Sequence, residues 1–588
     1  MYKTRYTWIK AQPSKRWIVL FSFLITLVLG YQTDRQMGFL SSDKGNINLV
    51  GDGTGYYAYL PQYFIYTNQS HYQFESSIEK KYPNKPFLSG IQHRDGLTYN
   101  KYYIGTAICQ LPFFLITHGL TKILNDQEAD GYSLPYRGSI ALSALFFFCI
   151  GAIAFLSLFK AFGVPLKISI PLLLVVTFGT NLQFYTAYWS SYSHSYSFAL
   201  ICLFLLAAKK ISLESSSKWL YVLSFSYLLI LFIRPTNGLI IFMLPFFFPT
   251  NQQLLLWLKS LFMQQRVFLI VSILFFLLLL GIQIAIIKHE TGSFGLYTYQ
   301  GEGFSFWKNP PFYESLFGYN KGFFRYIPLF LLSIPCTFFL FTLYKRLSWG
   351  IVLTLSLLIY LTASWWITAY GWGVGMRPFI DFYGLFALPI GLAFMHLNTW
   401  FKSFSIVFIV LSIIVYRTYQ KQVLKNILPY EGIYKEMYWN YFFKTADRFS
   451  WGYAIQDDRS LFHLKQREVI DQKMEAKEFH MQSNTPLVFS LHPRTNDQDS
   501  LFVRIKGKIW ISKANSVPSL SLKGYGQKGV QWERVHYFGH TIEKVGQWSN
   551  FKAYFAITPS SLDSVTLALH PGSFPTKYKS IEIKSFHP

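Results

Sequence analysis

Long apolar runs recur along this chain, and they constrain its fold more than any other feature. Runs such as VFLIVSILFFLLLLGIQIAII and IVLTLSLLIYLTASWWI match the stretches of roughly 17–25 apolar residues that span a bilayer. Charged residues make up only 14% of the chain, whereas soluble domains carry roughly 25%. We therefore predict a polytopic α-helical membrane protein.

The first predicted span, WIVLFSFLITLVLG, follows five basic residues and has no small-residue cleavage site. Its N-terminus is therefore expected in the cytoplasm. Residues 102–120 are apolar but interrupted by Gly105 and Pro112, which indicates an interfacial or re-entrant helix. Together with the first span, ten further spans are expected, which makes about eleven. The remaining spans are expected near 137–159, 168–188, 193–208, 219–233, 238–250, 267–287, 324–344, 349–368, 378–396 and 403–417.

Basic residues at the ends of these runs agree with one orientation. The positive-inside rule places five short basic loops in the cytoplasm, with lysines or arginines at 160/167, 209/210/218, 259/266, 345/346 and 402. Residues 219–250 are the weak point, because a single kinked helix there would invert everything downstream. The net charge of +25 is thus ascribed to topology and anionic lipid, with no nucleic-acid partner expected. The four cysteines lie in apolar segments without a CxxC pair, so they indicate neither a metal site nor disulfides.

Composition divides the chain into three parts. Residues 1–420 form a transmembrane domain with outer loops at 31–135 and 288–323. Residues 421–484 read as an amphipathic connector on the membrane surface. Residues 485–588 contain short alternating runs such as LFVRIKGKIWIS and SVTLALH, which predict an extracytoplasmic, jelly-roll-like β-sandwich.

The segment GDGTGYYAYLP places one acid, Asp52, in the first outer loop. Asp-Gly is common in exposed turns, so Asp52 could simply belong to one. The flanking glycines allow a tight backbone, however, and the following aromatics indicate a helix whose rings could stack on a sugar. We therefore interpret Asp52 as a catalytic base and Tyr56 and Tyr57 as substrate-binding residues.

Other polar residues of the outer face are candidates for substrate binding. His194 either caps a helix within an aromatic belt or contacts substrate. Arg234 either extends its guanidinium to the membrane–water interface or binds a phosphate with two of its N–H groups. Arg377 and Asp381 form either an i,i+4 ion pair or a phosphate ligand with its orienting acid. Glu290 belongs to a loop rich in glycine and aromatics, which suits a mobile flap as well as an idle surface loop.

Three segments, GDGTGYYAYLP, IRPTNG and MRPFIDFYG, together resemble integral-membrane glycosyltransferases of the GT-C superfamily. That superfamily includes protein mannosyltransferases and lipid A aminoarabinose transferases. The resemblance covers roughly residues 15–420 and rests on architecture and acid placement. Many relatives have two adjacent acids where this chain has Asp-Gly. A divalent metal is therefore not indicated, and no cofactor is expected.

The resemblance implies a reaction and a location. A sugar would move from a polyprenyl-phosphate donor to an extracytoplasmic lipid, glycan or protein acceptor, with inversion. Asp52 would act as the general base, while Arg234 and Arg377 stabilise the departing phosphate. The protein would lie in a bacterial inner membrane, contacting membrane lipids, with its C-terminal domain periplasmic and able to bind glycan.

Other functions remain open on the sequence alone. A polymerase or ligase of surface polysaccharide would share much of this chemistry. A lipid or sugar transporter would also have many spans, although no repeated halves are visible. A scaffold that presents the C-terminal domain would need far fewer spans.

Overall fold

The computed structural model divides the protein into two compact units, Met1–Arg417 and Thr418–Pro588. The residues that it describes are 15–37, 49–69, 71–82, 90–94, 96–214, 216–295, 298–299, 302–371, 373–425, 427–430, 433, 435–445, 467–473, 479–481, 487–491, 501–512, 519–526, 529–537, 546–557, 564–570 and 576–587.

Helices make up nearly all of the first unit. The α-helices are α1 (Lys15–Met37), α2 (Asp52–Phe64), α3 (Glu75–Lys81), α4 (Gly105–Leu124), α5 (Leu134–Ala161), α6 (Leu166–Phe178), α7 (His194–Ile211), α8 (Ser217–Ile233), α9 (Asn251–Gln264), α10 (Arg266–Thr291), α11 (Phe312–Phe317), α12 (Phe323–Tyr326), α13 (Ser333–Leu340), α14 (Lys345–Ser364), α15 (Tyr383–His396) and α16 (Thr399–Leu424). A hairpin of β1 (Ile91–Arg94) and β2 (Leu97–Asn100) precedes α4. The helix α16 continues into the second unit, where α17 (Lys435–Tyr441) follows.

The described helices are those of a polytopic membrane protein. Eight of them are long and apolar enough to cross a membrane, or nine if the bent pair Pro235–Phe247 and Asn251–Gln264 is one span. The helix α4 meets the same criteria of length and hydropathy, although an interfacial or re-entrant helix was predicted there. Shorter apolar helices lie at Leu166–Phe178, Ser217–Ile233 and Pro328–Leu340. The number of about eleven crossings stays a prediction.

Close helix packing in the first unit depends on small residues. The glycine Gly151 of α5 lies against Ala199 of α7, where an added Cβ would approach the Ala199 Cα to 2.9 Å. Small residues at such contacts let helix backbones approach closely when lipid supplies no hydrophobic drive between them. The two helices also end close together. The Lys209 ammonium, near the end of α7, lies 4.4 Å from the ring centroid of Phe162, which directly follows α5.

Residues 217–247 form an antiparallel pair, and not the single kinked helix that the sequence left open. The helix α8 ends at Ile233, and a 3₁₀-helix runs back over Pro235–Phe247. The Tyr227 hydroxyl donates to the Gly238 carbonyl (3.2 Å), so the two segments lie side by side. Their reversal at Arg234 follows from Pro235, which cannot donate the next helical hydrogen bond.

Regular α-helix gives way to tighter or wider turns in several places. These are the π-helix Phe184–Tyr188 and the 3₁₀-helices Pro235–Phe247, Pro328–Leu332 and Arg377–Phe382. Irregular backbone at membrane depth is tolerated where protein buries it or where it lines a cavity. Two of these segments, beginning at Pro235 and Arg377, contribute side chains to the site described below.

The second unit is built mainly of antiparallel strands. They are β3 (Arg467–Lys473), β4 (Phe479–Met481), β5 (Leu487–Leu491), β6 (Leu501–Ile511), β7 (Ser519–Gly526), β8 (Gly529–Tyr537), β9 (Ser549–Ile557), β10 (Ser564–His570) and β11 (Thr576–His587). One sheet has the order β5-β10-β7-β8; the other has the order β3-β11-β6-β9, with β4 also paired to β11. Buried residues of both sheets, among them Ile505, Phe551, Leu522 and Leu567, share one apolar cluster. The fuller prediction of a jelly-roll-like sandwich stays a prediction, and much of the connector 421–484 lies outside the described residues.

Candidate functional site

Asp52 is the first residue of α2, at a point where the chain passes close to residues 191–192. The preceding residue, Gly51, has a φ of +50°, a conformation that favours glycine. A Cβ at Gly53 would overlap the Ser191 side chain. The two glycines therefore let the start of α2 approach this segment, and Asp52 is held on a constrained turn.

Asp52 forms an ion pair with Arg377. Arg377 Nη2 lies 2.7 Å from Asp52 Oδ2, and the Asp52 side chain is 29% exposed. Burial alone would raise the pKa of Asp52, but the charges of Arg377 and Lys101, with a hydrogen bond from Tyr102, hold that pKa below its ordinary value. Asp52 is therefore an ionised carboxylate at neutral pH.

A second carboxylate, Asp381, is fully buried and holds three groups. It accepts from His194 Nδ1 (2.7 Å) and from the Asn237 amide (2.6 Å), and Arg234 Nη1 lies 3.7 Å away. Arg377 and Asp381 do not form the i,i+4 pair considered from the sequence, because residues Arg377–Phe382 form a 3₁₀-helix. With three residues per turn, positions four apart point in different directions.

Asp52, Arg234 and Arg377 line one cavity of about 410 Å³. Aromatic side chains form much of its wall: Tyr56, Tyr102, Tyr103, Tyr299, Phe304, Trp365, Trp366 and Tyr370. Tyr56 packs on Tyr102 with a centroid separation of 4.4 Å. The side chain of Arg234 is 20% exposed, so its guanidinium reaches the cavity while Asp381 holds it from behind. The cavity wall therefore combines charged side chains with many aromatic rings.

The loop after α10 covers part of this cavity. Glu302 pairs with Lys101 (2.6 Å), and both residues line the cavity. The loop is also held by main-chain bonds, from Phe306 N to Ser364 O (3.1 Å) and from Trp366 N to Gly303 O (2.8 Å). These contacts hold the loop against the cavity, and a mobile flap stays a prediction.

Four predicted site residues lie outside the cavity wall. Tyr57 is buried on the other side of α2, where its hydroxyl donates to the Gly131 carbonyl (2.6 Å). Glu290 accepts from the hydroxyls of Tyr63 and Tyr72 and from Asn100 N. We therefore assign Tyr57 and Glu290 structural roles. His194 and Asp381 lie behind Arg234 rather than in the wall.

Sequence reasoning missed several residues that the cavity brings together. Asn237 stands in the quoted segment IRPTNG, three residues after Arg234, and a 3₁₀ turn aligns such positions. Lys101, Tyr102 and Tyr299 come from loops in which no periodicity distinguishes them. The grouping of two acids and three bases around one cavity is visible only after folding.

Comparisons with other proteins and the search for metal ligands give no further identification. No family model matches the chain, and no curated protein matches it either. Among the residues that the structure describes, no group of three or more His, Cys, Asp or Glu side chains is placed to hold a metal ion. The expectations of no metal and no cofactor stay predictions.

Proposed function

We propose that the protein is a membrane glycosyltransferase that moves a sugar from a polyprenyl-phosphate donor to an extracytoplasmic acceptor. One observation carries this proposal: an ionised carboxylate, Asp52, and two arginines share one aromatic-walled cavity. An aromatic wall suits the faces of a sugar ring, and guanidinium groups suit a phosphate. The apolar helices also favour a lipid-linked donor, because its lipid tail would lie in the membrane around them.

The proposed reaction gives each of these groups a role. Asp52 accepts the proton of an acceptor hydroxyl, whose oxygen then bonds to the anomeric carbon of the sugar. The bond from that carbon to the phosphate oxygen breaks, and the electron pair leaves with the phosphate. Arg234 faces the cavity and stabilises this charge. The acceptor is a lipid, a glycan or a protein.

Arg377 has two roles in this scheme. Its Nη2 holds Asp52, and its Nη1 is buried without a hydrogen-bond partner among the described residues. A buried guanidinium N–H without a partner is costly, so an anion that reached it would gain a strong, charge-assisted bond. We expect the donor phosphate to use Arg234 first and Arg377 second.

The proposal is tested with purified protein, a polyprenyl-phosphate sugar and a crude envelope extract as acceptor. Asp52→Asn keeps the size of the side chain but cannot take a proton, so transfer falls about a hundredfold to ten-thousandfold. Asp126→Asn, the same change at an exposed position outside the cavity, keeps the wild-type rate. Transfer by Asp52→Asn at near wild-type rate would remove Asp52 as the base.

A further inference from the structure

The outer face of one sheet in the second unit is strongly basic. Its strands β6 and β11 are antiparallel partners, and their inward side chains, such as Ile505, Ile509 and Tyr578, are buried. The alternate side chains point away from that core. Together with Trp510, they form what we name the basic face: Arg504, Lys506, Lys508, Lys577 and Lys579.

Positive charge on the basic face is concentrated rather than balanced. Among the side chains that the structure describes on this face, five are cations and one is an acid, Glu582, which lies 3.8 Å from Arg504 and 3.9 Å from Lys506. At the edge of the face, Asp471 of β3 is paired with Lys584 of β11. Lys508 and Lys579 are directly opposite each other across the two strands. Like charges in that position destabilise a sheet, so folding alone does not account for them.

Aromatic side chains accompany these lysines. The Lys577 ammonium lies 5.1 Å from the Trp510 ring centroid, and Lys579 lies 3.9 Å from that of Trp548. Both tryptophans are partly exposed. Tryptophan beside lysine is typical of surfaces at the membrane–water interface, where indole rings sit among lipid headgroups.

We propose that the basic face binds the anionic headgroups of the membrane in which this protein lies. The occupant is lipid phosphate, because the candidate span α16 runs directly into this unit and tethers it near the bilayer. A tether of that kind gives the sheet a high effective concentration of headgroups. This inference does not depend on the proposed enzyme activity.

The test uses the whole protein in lipid nanodiscs and measures lysine acetylation by mass spectrometry. Discs of phosphatidylcholine alone are compared with discs that also contain phosphatidylglycerol. We expect the acetylation rates of Lys508 and Lys579 to fall about fivefold in the anionic discs. Lys523, on the opposite sheet, is the internal control and reacts equally in both. In 1 M salt the difference disappears, because the screening length shrinks to about 3 Å.

A variant that removes one charge from the basic face provides a second test. Lys508→Gln in the whole chain reduces the protection of Lys579 in anionic discs, whereas Lys523→Gln, the matched change, leaves that protection intact. Equal acetylation in neutral and anionic discs would overturn the proposal. So would protection by a soluble sulfated polysaccharide in neutral discs without protection by anionic lipid, since the partner would then be a glycan.

Discussion

At the scale of single residues, the site is a pair of linked charge networks. Asp52 and Arg377 form one of them, and Asp381 with Arg234, His194 and Asn237 forms the other. A buried carboxyl group such as Asp381 needs hydrogen-bonding or charged partners, and His194, Asn237 and Arg234 supply them. The same contacts fix the guanidinium of Arg234 at the cavity wall.

The ionisation of Asp52 leads to a prediction on pH. Because its pKa is held below the ordinary value, Asp52 stays a proton acceptor as the pH falls, until the pH drops below that lowered pKa. Lys101→Gln removes one of the charges responsible, so the pKa of Asp52 rises. We expect the acid limb of kcat/KM to move to higher pH in Lys101→Gln.

The position of that limb is measured from pH profiles of transfer by wild-type and variant proteins. Lys218→Gln, the same change at an exposed residue outside the cavity, leaves the limb where it is in the wild type. If the limb moves in neither variant, or moves to lower pH in Lys101→Gln, the titrating group is not Asp52.

At the scale of elements, the loop before α4 is tied to the end of α10 by one carboxylate. Glu290 accepts from Tyr72 (2.6 Å), from Tyr63 (3.0 Å) and from the main chain at Asn100 (2.8 Å). The residue after Asn100 is Lys101, which lines the cavity. Glu290 therefore holds the main chain next to Lys101 in place, while Glu290 itself does not line the cavity.

A structural role for Glu290 predicts a stability effect without a catalytic one. Glu290→Gln leaves one or more buried donors poorly paired, which costs about 1–3 kcal/mol in the free energy of unfolding. We expect a lower unfolding temperature in detergent, with kcat and KM of the folded protein close to wild type. Glu314→Gln, at an exposed position, changes neither. A normal unfolding temperature with a raised donor KM would return Glu290 to the substrate site.

Some of the site residues could be predicted from the sequence, and others depend on which face of a helix they occupy. Asp52, Arg234 and Arg377 are recognisable because an ionisable side chain near apolar segments costs free energy and therefore tends to mark a functional site. The sequence does not separate Tyr56 from Tyr57, because neighbouring helical positions point about 100° apart and aromatics occur on both faces of α2. Tyr56 faces the cavity, while Tyr57 faces the core.

At the scale of the whole first unit, basic residues from separate loops meet at one end. Lys209 lies over Phe162, whose ring is 6.2 Å from that of Phe247. Arg346 donates to the carbonyl of Pro245 (3.1 Å), in the same 3₁₀-helix as Phe247. The positive-inside rule assigns this end to the cytoplasm, with the cavity at the other end.

The helix α4 occupies a different level from the helices that reach the basic end. Its Gln110 donates to Tyr196, near the start of α7, and its His118 contacts Tyr136, near the start of α5. The helix α7 continues instead along the later part of α5, where Gly151 meets Ala199. The helix α4 is nevertheless long and apolar enough to cross a membrane, so an interfacial or re-entrant α4 stays a prediction.

An odd number of passes is predicted for the first unit, and this number sets the final prediction. The predicted passes correspond to α1, α5, α6, α7, α8, Pro235–Phe247, α10, Pro328–Leu340, α14, Arg377–His396 and α16. With the N-terminus in the cytoplasm, the residues after α16 are expected on the opposite side of the membrane.

A fluorescent protein that stays dark when exported through the Sec pathway tests this topology. Fused after Pro588, it is expected to be dark, and fused after Lys210, it is expected to be bright. Bright fluorescence from the Pro588 fusion would mean an even number of crossings. Either α4 or the segment 235–264 would then have to be reassigned, and the cavity would no longer open on the face that an extracytoplasmic acceptor can reach.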